Sequence, residues 1–227
     1  MSVTVPVLRP RHLKAKVKIT VTNPDGSVAK VIESEYEDPF TTDFDAMFYG
    51  LFTFSIQTPG GVSVHDVAGN VYYFYSPGSN VYATPYAGWC FVNCPYVSNV
   101  GYTLKMPGIW LYKSPFSPDN YVWNNYSNLI SNITYYSPTT TPGAGAVPGA
   151  TYGGTATFTI TQQMTNTSGS TITVYSFAVV VAAYSIYGGA MYTTPIFVGV
   201  NYFDLSTPIT WSPSAGMAVT VTYQIPN

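Results

Sequence analysis

Apolar and polar residues alternate along several short segments of the chain, and the alternation is clearest in MAVTVTYQI, residues 217–225. Every second residue there is apolar, and the residues between them are alanine, threonine or glutamine. A period of two places the two sets of side chains on opposite faces of a β-strand. The pattern predicts a strand with one buried face and one polar face that carries no charge.

A second alternating segment predicts a hairpin near the N-terminus. Val17, Ile19 and Val21 alternate with lysine and threonine, and the turn sequence NPDG, residues 23–26, leads into SVAKVIE. Proline at the first central position of a turn and glycine after aspartate both favour a tight reversal of the chain. We therefore expect two antiparallel strands joined at this turn.

The period changes in TTDFDAMFYGLF, where the apolar residues are spaced i, i+3, i+4, i+7 and i+8. This spacing predicts one short amphipathic helix over about residues 43–53, with Thr42 or Asp43 as its cap. We expect the apolar stripe of this helix to lie as a lid on a sheet.

The C-terminal third contains the most regular strand patterns. ATFTIT alternates, NTSGS is a turn, and TITVYSFAVVVAAYSI becomes apolar on both faces. A continuous apolar run of this kind indicates a central strand that is buried on both sides. Many strands with turn signals between them and a single helix predict an all-β antiparallel β-sandwich.

Charge divides the chain into two parts. Five of the eight Lys and Arg residues lie in the first 18 positions, and seven of the ten acidic residues lie between positions 25 and 45. We therefore distinguish a basic N-terminal arm and hairpin, residues 1–40, from a β-sandwich domain, residues 41–227. Within this domain, residues 137–154 are rich in Pro, Gly and Thr and predict a long surface loop.

The charged fraction of the whole chain, 8%, is low. Ordinary soluble domains are about 25% charged, so this protein must cover its surface with hydroxyl and amide side chains. Such a surface provides little electrostatic repulsion between molecules. It suits a subunit packed among copies of itself or an extracellular protein better than a free cytosolic enzyme.

The basic residues near the N-terminus form a candidate binding arm. One hypothesis is that they face nucleic acid or a neighbouring subunit, and the alternative is a solvated strand with lysines at every second position on its outer face. The residues of this arm are Arg9, Arg11, Lys14, Lys16 and Lys18.

The sequence contains little that points to catalysis or to a cofactor. His65 and Asp66 are adjacent, and neighbouring residues of a strand point to opposite faces. No phosphate-binding, dinucleotide-binding, nucleophile or metalloprotease motif is present. We expect a protein that is not an enzyme and that binds no cofactor.

The two cysteines, Cys90 and Cys94, are separated by three residues. They could form a local disulfide or remain a pair of buried thiols, whereas a zinc site would need further ligands. The longest apolar run, FAVVVAAY, has eight residues and is too short to span a membrane. The N-terminus has no apolar core of a secretory signal, so we expect no export by that route.

Three Asn-X-Ser/Thr sequons, at Asn125, Asn132 and Asn166, are candidate N-glycosylation sites. The aromatic cluster YYFY, residues 72–75, is open to two interpretations. It could form a platform for sugar binding, or it could contribute to subunit contacts, where tyrosine is enriched.

Two segments carry a resemblance to a class of known proteins. TFTITQQMTNTSGSTITVYSFAV together with LSTPITWSPSAGMAVTVTYQI is similar to the C-terminal part of many virion structural proteins, and ITVTNPDGSVAKVIESEYEDPFTTDFDAMFYGLF looks like the start of such proteins. The composition, rich in Thr, Tyr and Asn and poor in charge, resembles that of capsid and turret proteins of icosahedral viruses infecting hyperthermophilic archaea.

This resemblance implies a jelly-roll-like sandwich in a symmetric shell, as a penton-base, turret or spike component of the virion. It implies a homo-oligomeric ring at a symmetry axis and contacts with other capsid proteins. It assigns no function to individual residues. The alternative is an archaeal cell-surface or filament β-sandwich protein, extracellular and carbohydrate-binding.

Overall fold

The structure is a computed structural model of the 227-residue chain. It describes residues 14–37, 40–45, 63–73, 103–104, 106–116, 122–142, 156–183, 186–187, 190–191 and 196–225. The strands in these residues are β1 (Lys14–Thr22), β2 (Val28–Glu37), β3 (Ser63–His65), β4 (Val71–Tyr73), β5 (Gly108–Tyr112), β6 (Thr134–Tyr135), β7 (Thr139–Pro142), β8 (Ala156–Thr165), β9 (Ile172–Ala183), β10 (Ile186–Tyr187), β11 (Ala190–Met191), β12 (Ile196–Trp211) and β13 (Gly216–Ile225).

The first layer is a six-stranded antiparallel sheet in the order β2-β1-β13-β8-β6, and β7 also pairs with β8. The alternation predicted from the sequence sets its register. Along β1, Val17, Ile19 and Val21 are buried and the residues between them are exposed or half-buried. Val221 of β13 pairs with Val17 on one side and with Ile160 of β8 on the other. The sheet therefore has one apolar and one polar face.

The second layer is a three-stranded antiparallel sheet in the order β12-β9-β5. Its central strand is buried on both faces, as the continuous apolar run predicts. Phe177 and Val179 belong to one cluster of core residues, and Ala178 and Val180, which point the opposite way, belong to the other. This sheet therefore needs a cover on each side.

The main core lies between the two sheets. Ile19 of β1 and Val221 of β13 share it with Phe177 of β9, and Phe203 and Trp211 of β12 complete it. The rings of Phe177 and Phe203 stack with centroids 4.7 Å apart. The indole nitrogen of Trp211 donates to the carbonyl of Ala215 at 3.0 Å, so its one polar group is satisfied inside the apolar layer.

A second core covers the far side of the three-stranded sheet. Trp110 and Phe197 pack edge to face there, with ring centroids 5.6 Å apart. A 3-10 helix, Val122–Asn128, contributes Val122 to this cluster, and Val67, which follows β3, donates its backbone N–H to the carbonyl of Phe197 at 2.8 Å. Segments outside the two main sheets therefore form this outer layer.

Two of the connections between the main sheets are fastened together at Asn166. The side-chain amide of Asn166 donates to the carbonyls of Ser170, Trp211 and Ser212 at 2.9–3.1 Å. Its backbone N–H donates to the carbonyl of Ala215 at 3.0 Å. Asn166 follows β8, and Trp211 ends β12, so one buried side chain joins the β8–β9 and β12–β13 turns.

The prediction of an all-β antiparallel sandwich with one short helix is confirmed. The hairpin at NPDG is also confirmed: the N–H of Gly26 donates to the carbonyl of Asn23 at 2.9 Å, and Gly26 has a φ of 84°. That left-handed conformation is the reason glycine is favoured at this position. The hairpin lies before residue 40, and through β1 it is part of the six-stranded sheet.

Two elements differ from the expectations. The helix predicted at about 43–53 is described only over its first turn, 42–45, where the hydroxyl of Thr41, rather than that of Thr42 or the carboxylate of Asp43, accepts the N–H of Phe44 at 3.1 Å. The 3-10 helix Val122–Asn128 was not predicted. In the predicted loop at 137–154, residues Thr139–Pro142 form β7, because a run of β-branched threonines pairs readily with β8.

Candidate interaction surface

Threonines occupy facing positions on three neighbouring strands of the six-stranded sheet. Thr161 of β8 pairs with Thr220 of β13, and Thr159 pairs with Thr222. On its other side β8 pairs with β7, so two rows of three threonines run across the strands. We call this surface the threonine face; its residues are Thr139, Thr141, Thr159, Thr161, Thr220 and Thr222.

The hydroxyl groups of the threonine face bond to one another across the strands. The oxygens of Thr159 and Thr222 lie 3.0 Å apart, and those of Thr161 and Thr220 also lie 3.0 Å apart. All four of these residues are half-buried. In each pair one hydroxyl donates and the other accepts, so the accepting hydroxyl keeps its own O–H for a further acceptor.

Ion pairs form the neighbouring part of the same surface, on β1 and β2. Lys14 lies 2.8 Å from Glu35 and 3.3 Å from Glu37, and Lys18 lies 3.0 Å from Glu33. Lys16 lies 3.9 Å from Glu35. We call this surface the charge ladder; its residues are Lys14, Lys16, Lys18, Glu33, Glu35 and Glu37.

The charge ladder is solvated and electrically balanced. The hydrogen bond with Glu35 raises the pKa of Lys14 above its ordinary value, and the same bond with Lys14 lowers the pKa of Glu35. Three lysines face three glutamates, and the side chains of Lys18 and Glu33 are 55% and 68% exposed. Exposed pairs of this kind contribute little to stability, so the main consequence of the ladder is the neutrality of the surface.

The lysines of the predicted basic arm therefore lie beside acids of the same chain. Lys14, Lys16 and Lys18 line one outer face of β1 at a period of two, which is the arrangement that the solvated-strand interpretation requires. Arg9 and Arg11 lie outside the described residues. Nucleic-acid binding by this arm stays a prediction. The charge of its three described lysines is already balanced by the glutamates of β2.

A shallow depression of about 460 Å³ marks the border between the two parts of this surface. Polar side chains from the charge ladder and the threonine face line it: Lys16, Lys18, Glu33, Glu35, Thr220 and Thr222. The depression is open to solvent rather than enclosed.

The sequons differ in accessibility. The amide of Asn125 donates to the carbonyl of Ser114 at 3.1 Å, and both Asn125 and Asn166 are buried. Asn132 is exposed. A glycan is attached through the amide nitrogen, so among the three sequons only Asn132 presents that atom to solvent in the folded chain. Glycosylation itself stays a prediction.

One histidine–carboxylate pair was missed by the sequence analysis. Asp43, at the start of the helical turn, accepts the backbone N–H of His65 at 2.8 Å, and its Oδ1 lies 3.2 Å from Nδ1 of His65. Burial raises the pKa of the Asp43 carboxyl above its ordinary value, and the bonds from His65 oppose the rise. The pair fastens the β3–β4 hairpin to the helical turn, and no local pattern in the sequence links two residues that far apart.

Asp66 has a different role from its neighbour. Its carboxylate accepts the backbone N–H groups of Ala68 and Asn70 at 2.9 and 2.8 Å, and the side-chain amide of Asn70 at 2.8 Å. Asp66 therefore organises the turn between β3 and β4. Together with the Asp43 pair, this gives both residues of the His65-Asp66 sequence a structural role.

Several residues named in the sequence analysis lie outside the part of the chain that the structure describes. Cys90, Cys94 and residues 74–75 of the aromatic cluster lie outside the described part of the chain. Within the described ranges, no group of three or more His, Cys, Asp or Glu side chains is arranged to hold a metal ion. Among the same residues, no helix is both long enough and apolar enough to cross a membrane.

No family model, no curated protein and no solved structure matches this chain.

Proposed function

We propose that this chain is a non-enzymatic virion structural protein, a capsid shell or vertex subunit of the penton-base or turret type. In this proposal it assembles with copies of itself and with other capsid proteins through faces of its sandwich. The observation that carries the proposal is the threonine face with its neutral charge ladder, a broad surface that is polar, already hydrogen-bonded and without net charge.

The low charge of the whole chain supports the same conclusion. Only 8% of its residues are charged, and most of these lie in the first 45 positions. A protein that spends its life free in solution benefits from charge on its surface. A shell subunit covers much of its surface with neighbours and does not need that protection.

The connections between the sheets also suit a shell protein of the jelly-roll type. The chain passes from β8 in one sheet to β9 in the other, and returns from β12 to β13. β13 then lies between β1 and β8 in the centre of its sheet. Jelly rolls are two-sheet sandwiches with crossings of this kind, and capsid proteins use them widely.

A second candidate is an archaeal cell-surface or filament β-sandwich protein that binds carbohydrate. The exposed sequon at Asn132 favours it, because such sites lie on surface loops of extracellular proteins. This candidate predicts binding to a glycan array or open-ended polymerisation, neither of which a shell subunit requires.

Light scattering on the purified full-length chain across a dilution series tests the proposal. We expect a closed oligomer of fixed mass that dissociates only on strong dilution. A size distribution that grows with concentration without limit would point to the filament subunit. A monomer at every concentration would contradict homo-oligomeric assembly, and glycan binding by that monomer would favour the second candidate.

A further inference from the structure

We propose that the outer edge of β2 binds the N-terminal segment of a second copy, residues 2–11, as an added parallel strand. This inference rests on the proposed function in one respect, since it assumes that the protein assembles with itself. It goes further in naming the edge, the segment that occupies it and the direction of that segment.

The outer edge of β2 is open among the described residues. β2 pairs with β1 on one side and with no described strand on the other. The remaining edges are covered: the N–H groups of Thr41 and Val67 donate to carbonyls of β12, that of Ile130 donates to a carbonyl of β5, and β8 pairs with β6 and β7. An open edge presents backbone N–H and C=O groups that pair readily with another extended segment.

The side chains of β2 change in character along the strand. Val28 and Val31 are 62% and 48% exposed at its start, and Glu33, Glu35 and Glu37 follow towards its end. The charge ladder is neutral as a whole, but its glutamates form the outermost column. A strand added at this edge would meet them at about 4.8 Å and the lysines of β1 only at about twice that distance. The edge therefore favours a segment that is apolar at one end and cationic at the other.

The first residues of the chain have this character. Residues 2–11, SVTVPVLRPR, match the ten residues of β2 in number, and they carry three valines and then two arginines at every second position. That period places all five side chains on one face of an extended segment. These residues are Val3, Val5, Val7, Arg9 and Arg11.

The order of these side chains selects the direction of the added strand. In a parallel alignment of residues 2–11 with Val28–Glu37, the valines lie beside the apolar end of β2 and the arginines lie beside Glu35 and Glu37. The reverse alignment over the same ten residues would bring the arginines to the apolar end. Opposite charges on neighbouring strands stabilise their pairing, so the parallel alignment is favoured.

The positions of two prolines agree with this pairing. Pro6 and Pro10 have no backbone N–H, and both are at even positions. Successive backbone groups of a strand point to opposite sides, so when the odd residues bond to β2 both prolines face away from it. Proline is tolerated in an edge strand in this orientation, and it hinders the addition of a further strand.

The place where the segment joins the fold favours a second copy over its own chain. Lys14 pairs with Glu37, so the segment enters β1 at the end of the sheet where the chain leaves β2. Phe40, three residues after Glu37, already forms a bridge with Asn201 of the other sheet. To reach its own β2 edge, the segment would have to cross this connection, and connections seldom cross at one edge of a sheet. From residue 11 to Lys14 the chain spans at most about 10 Å, so the second copy must lie directly beside the first.

Hydrogen exchange of the full-length protein, followed by mass spectrometry across a dilution series, tests the contact. We expect the backbone amides of residues 2–11 to exchange at least about 10-fold more slowly in the oligomer than in a free synthetic peptide of residues 1–13. This protection should disappear when dilution dissociates the oligomer. Light scattering on the same samples measures the dissociation constant.

Reversing the charge of the segment should weaken the contact. The double variant Arg9→Glu and Arg11→Glu places acids beside Glu35 and Glu37, and it should raise the dissociation constant about 100-fold. The matched control, Arg9→Lys with Arg11→Lys, keeps the charge and should leave the constant within about threefold of the wild type. Circular dichroism checks that both variants keep the fold.

Two proline variants test the phase of the added strand. Val5→Pro removes an N–H group that would point towards β2, whereas Thr4→Pro removes one that would point away from it. Val5→Pro should weaken association by about 10-fold or more, and Thr4→Pro should change it by less than about threefold. Equal effects of the two variants would contradict pairing through the odd residues.

The outcomes separate this inference from the proposed function. If the wild type assembles while residues 2–11 exchange as fast as the free peptide, another surface forms the contact and only this inference is wrong. Protection in a monomer would mean that the segment binds its own chain, and protection that appears only with added duplex DNA would mean that it binds nucleic acid; either result overturns docking on a second copy. A monomer without protection would contradict both the inference and the proposed self-assembly.

Discussion

The two sheets of this sandwich present very different outer faces. On the six-stranded sheet, the residues that point away from the main core include threonine, glutamine, lysine and glutamate, and they are exposed or half-buried. On the three-stranded sheet, the corresponding side chains include Trp110, Ala178 and Phe197, and all three are completely buried. Within the described part of the chain, one sheet is therefore covered by its partner sheet alone, and the other is covered on both faces.

This difference between the sheets follows from the pattern of apolar residues along their strands. Strict alternation in β1 and β13 indicates a sheet with one apolar face, whereas the continuous run in β9 indicates a sheet buried on both. A second cover must then be supplied by other segments, here the 3-10 helix and the turn after β3. Four predictions test this comparison.

The largest effect is expected from truncating the outer layer of the three-stranded sheet. Phe197→Ala removes a fully buried ring that packs against Trp110, and it should lower the free energy of unfolding by about 3–5 kcal/mol. The matched control on the other sheet is Val31→Ala, because Val31 is 48% exposed and should contribute less than about 0.5 kcal/mol. Urea unfolding measures both, and equal effects would show that the second layer does not pack as described.

Two glycines provide a finer test of the same contrast. A Cβ on Gly199 would lie 2.3 Å from Cγ2 and 2.5 Å from Cβ of Val122, so the 3-10 helix itself would have to move. Gly199→Ala should therefore cost about 1–3 kcal/mol. In Gly216→Ala the new Cβ would meet mainly the hydroxyl of Thr22, at 2.5 Å.

Because Thr22 is half-buried, on the outer side of the six-stranded sheet, its side chain can rotate away. We therefore expect a smaller loss of stability for Gly216→Ala than for Gly199→Ala. Equilibrium unfolding of the two variants side by side gives the answer, and a larger loss for Gly216→Ala would contradict the contrast between a covered and an open face.

Asp43, in the helical turn, and Glu35, in the charge ladder, should make contributions to stability that change with pH in opposite directions. Burial raises the pKa of Asp43 above 3.8, so its ionised form destabilises the fold, and this cost disappears as the pH falls through the raised value. The pKa of Glu35 is lowered from 4.5, so its contribution is present above pH 4.5 and is lost as the pH falls further.

Asp43→Asn and Glu35→Gln test these signs through urea unfolding between pH 3 and 7. The stability of the wild type relative to Asp43→Asn should rise on acidification, and its stability relative to Glu35→Gln should fall. The second effect should be the smaller one, because the ion pairs of Glu35 are exposed and screened. A fall relative to Asp43→Asn would show that its hydrogen bonds to His65 outweigh its burial.

The smallest effect is expected in the threonine face itself. The double variant Thr159→Val and Thr222→Val removes both hydroxyls of one pair at once and keeps the shape of the side chains. Its free energy of unfolding, measured at a concentration where the protein is monomeric, should lie within about 0.5 kcal/mol of the wild type. A loss above 2 kcal/mol would mean that the face is part of the folded core.

Residues that follow a local period were predictable, and residues joined over long distances were not. The alternation in β1, the turn at Gly26 and the buried run around Val180 follow from spacing alone, and these predictions are confirmed. The pairing of lysines with glutamates does not follow from the turn alone. The NPDG turn would place Lys18 opposite Ile32, and a β-bulge between Val21 and Thr22 shifts the register by one residue, so that Lys18 faces Glu33.

Other features had no local signal. Asp43 and His65 meet only because a helical turn and a hairpin pack together. The 3-10 helix has no apolar period, because only a few of its residues face the second core. The burial of Asn166 depends on two turns that are far apart in sequence, so the sequon could not be recognised as inaccessible from its three residues.

The position of β13 has a consequence for how the chain can fold. Residue 20 pairs with residue 218, and β13 separates β1 from β8 in the finished sheet. On a ribosome, the β1–β2 hairpin must therefore wait for nearly the whole chain before it gains its second neighbour, and contacts this distant in sequence form slowly. During that delay β1 and β8 each present an unpaired edge to other chains. Growing chains that are crowded on one messenger RNA would therefore mispair most readily at β1 and β8. Supplying β13 as a separate peptide should reduce this mispairing.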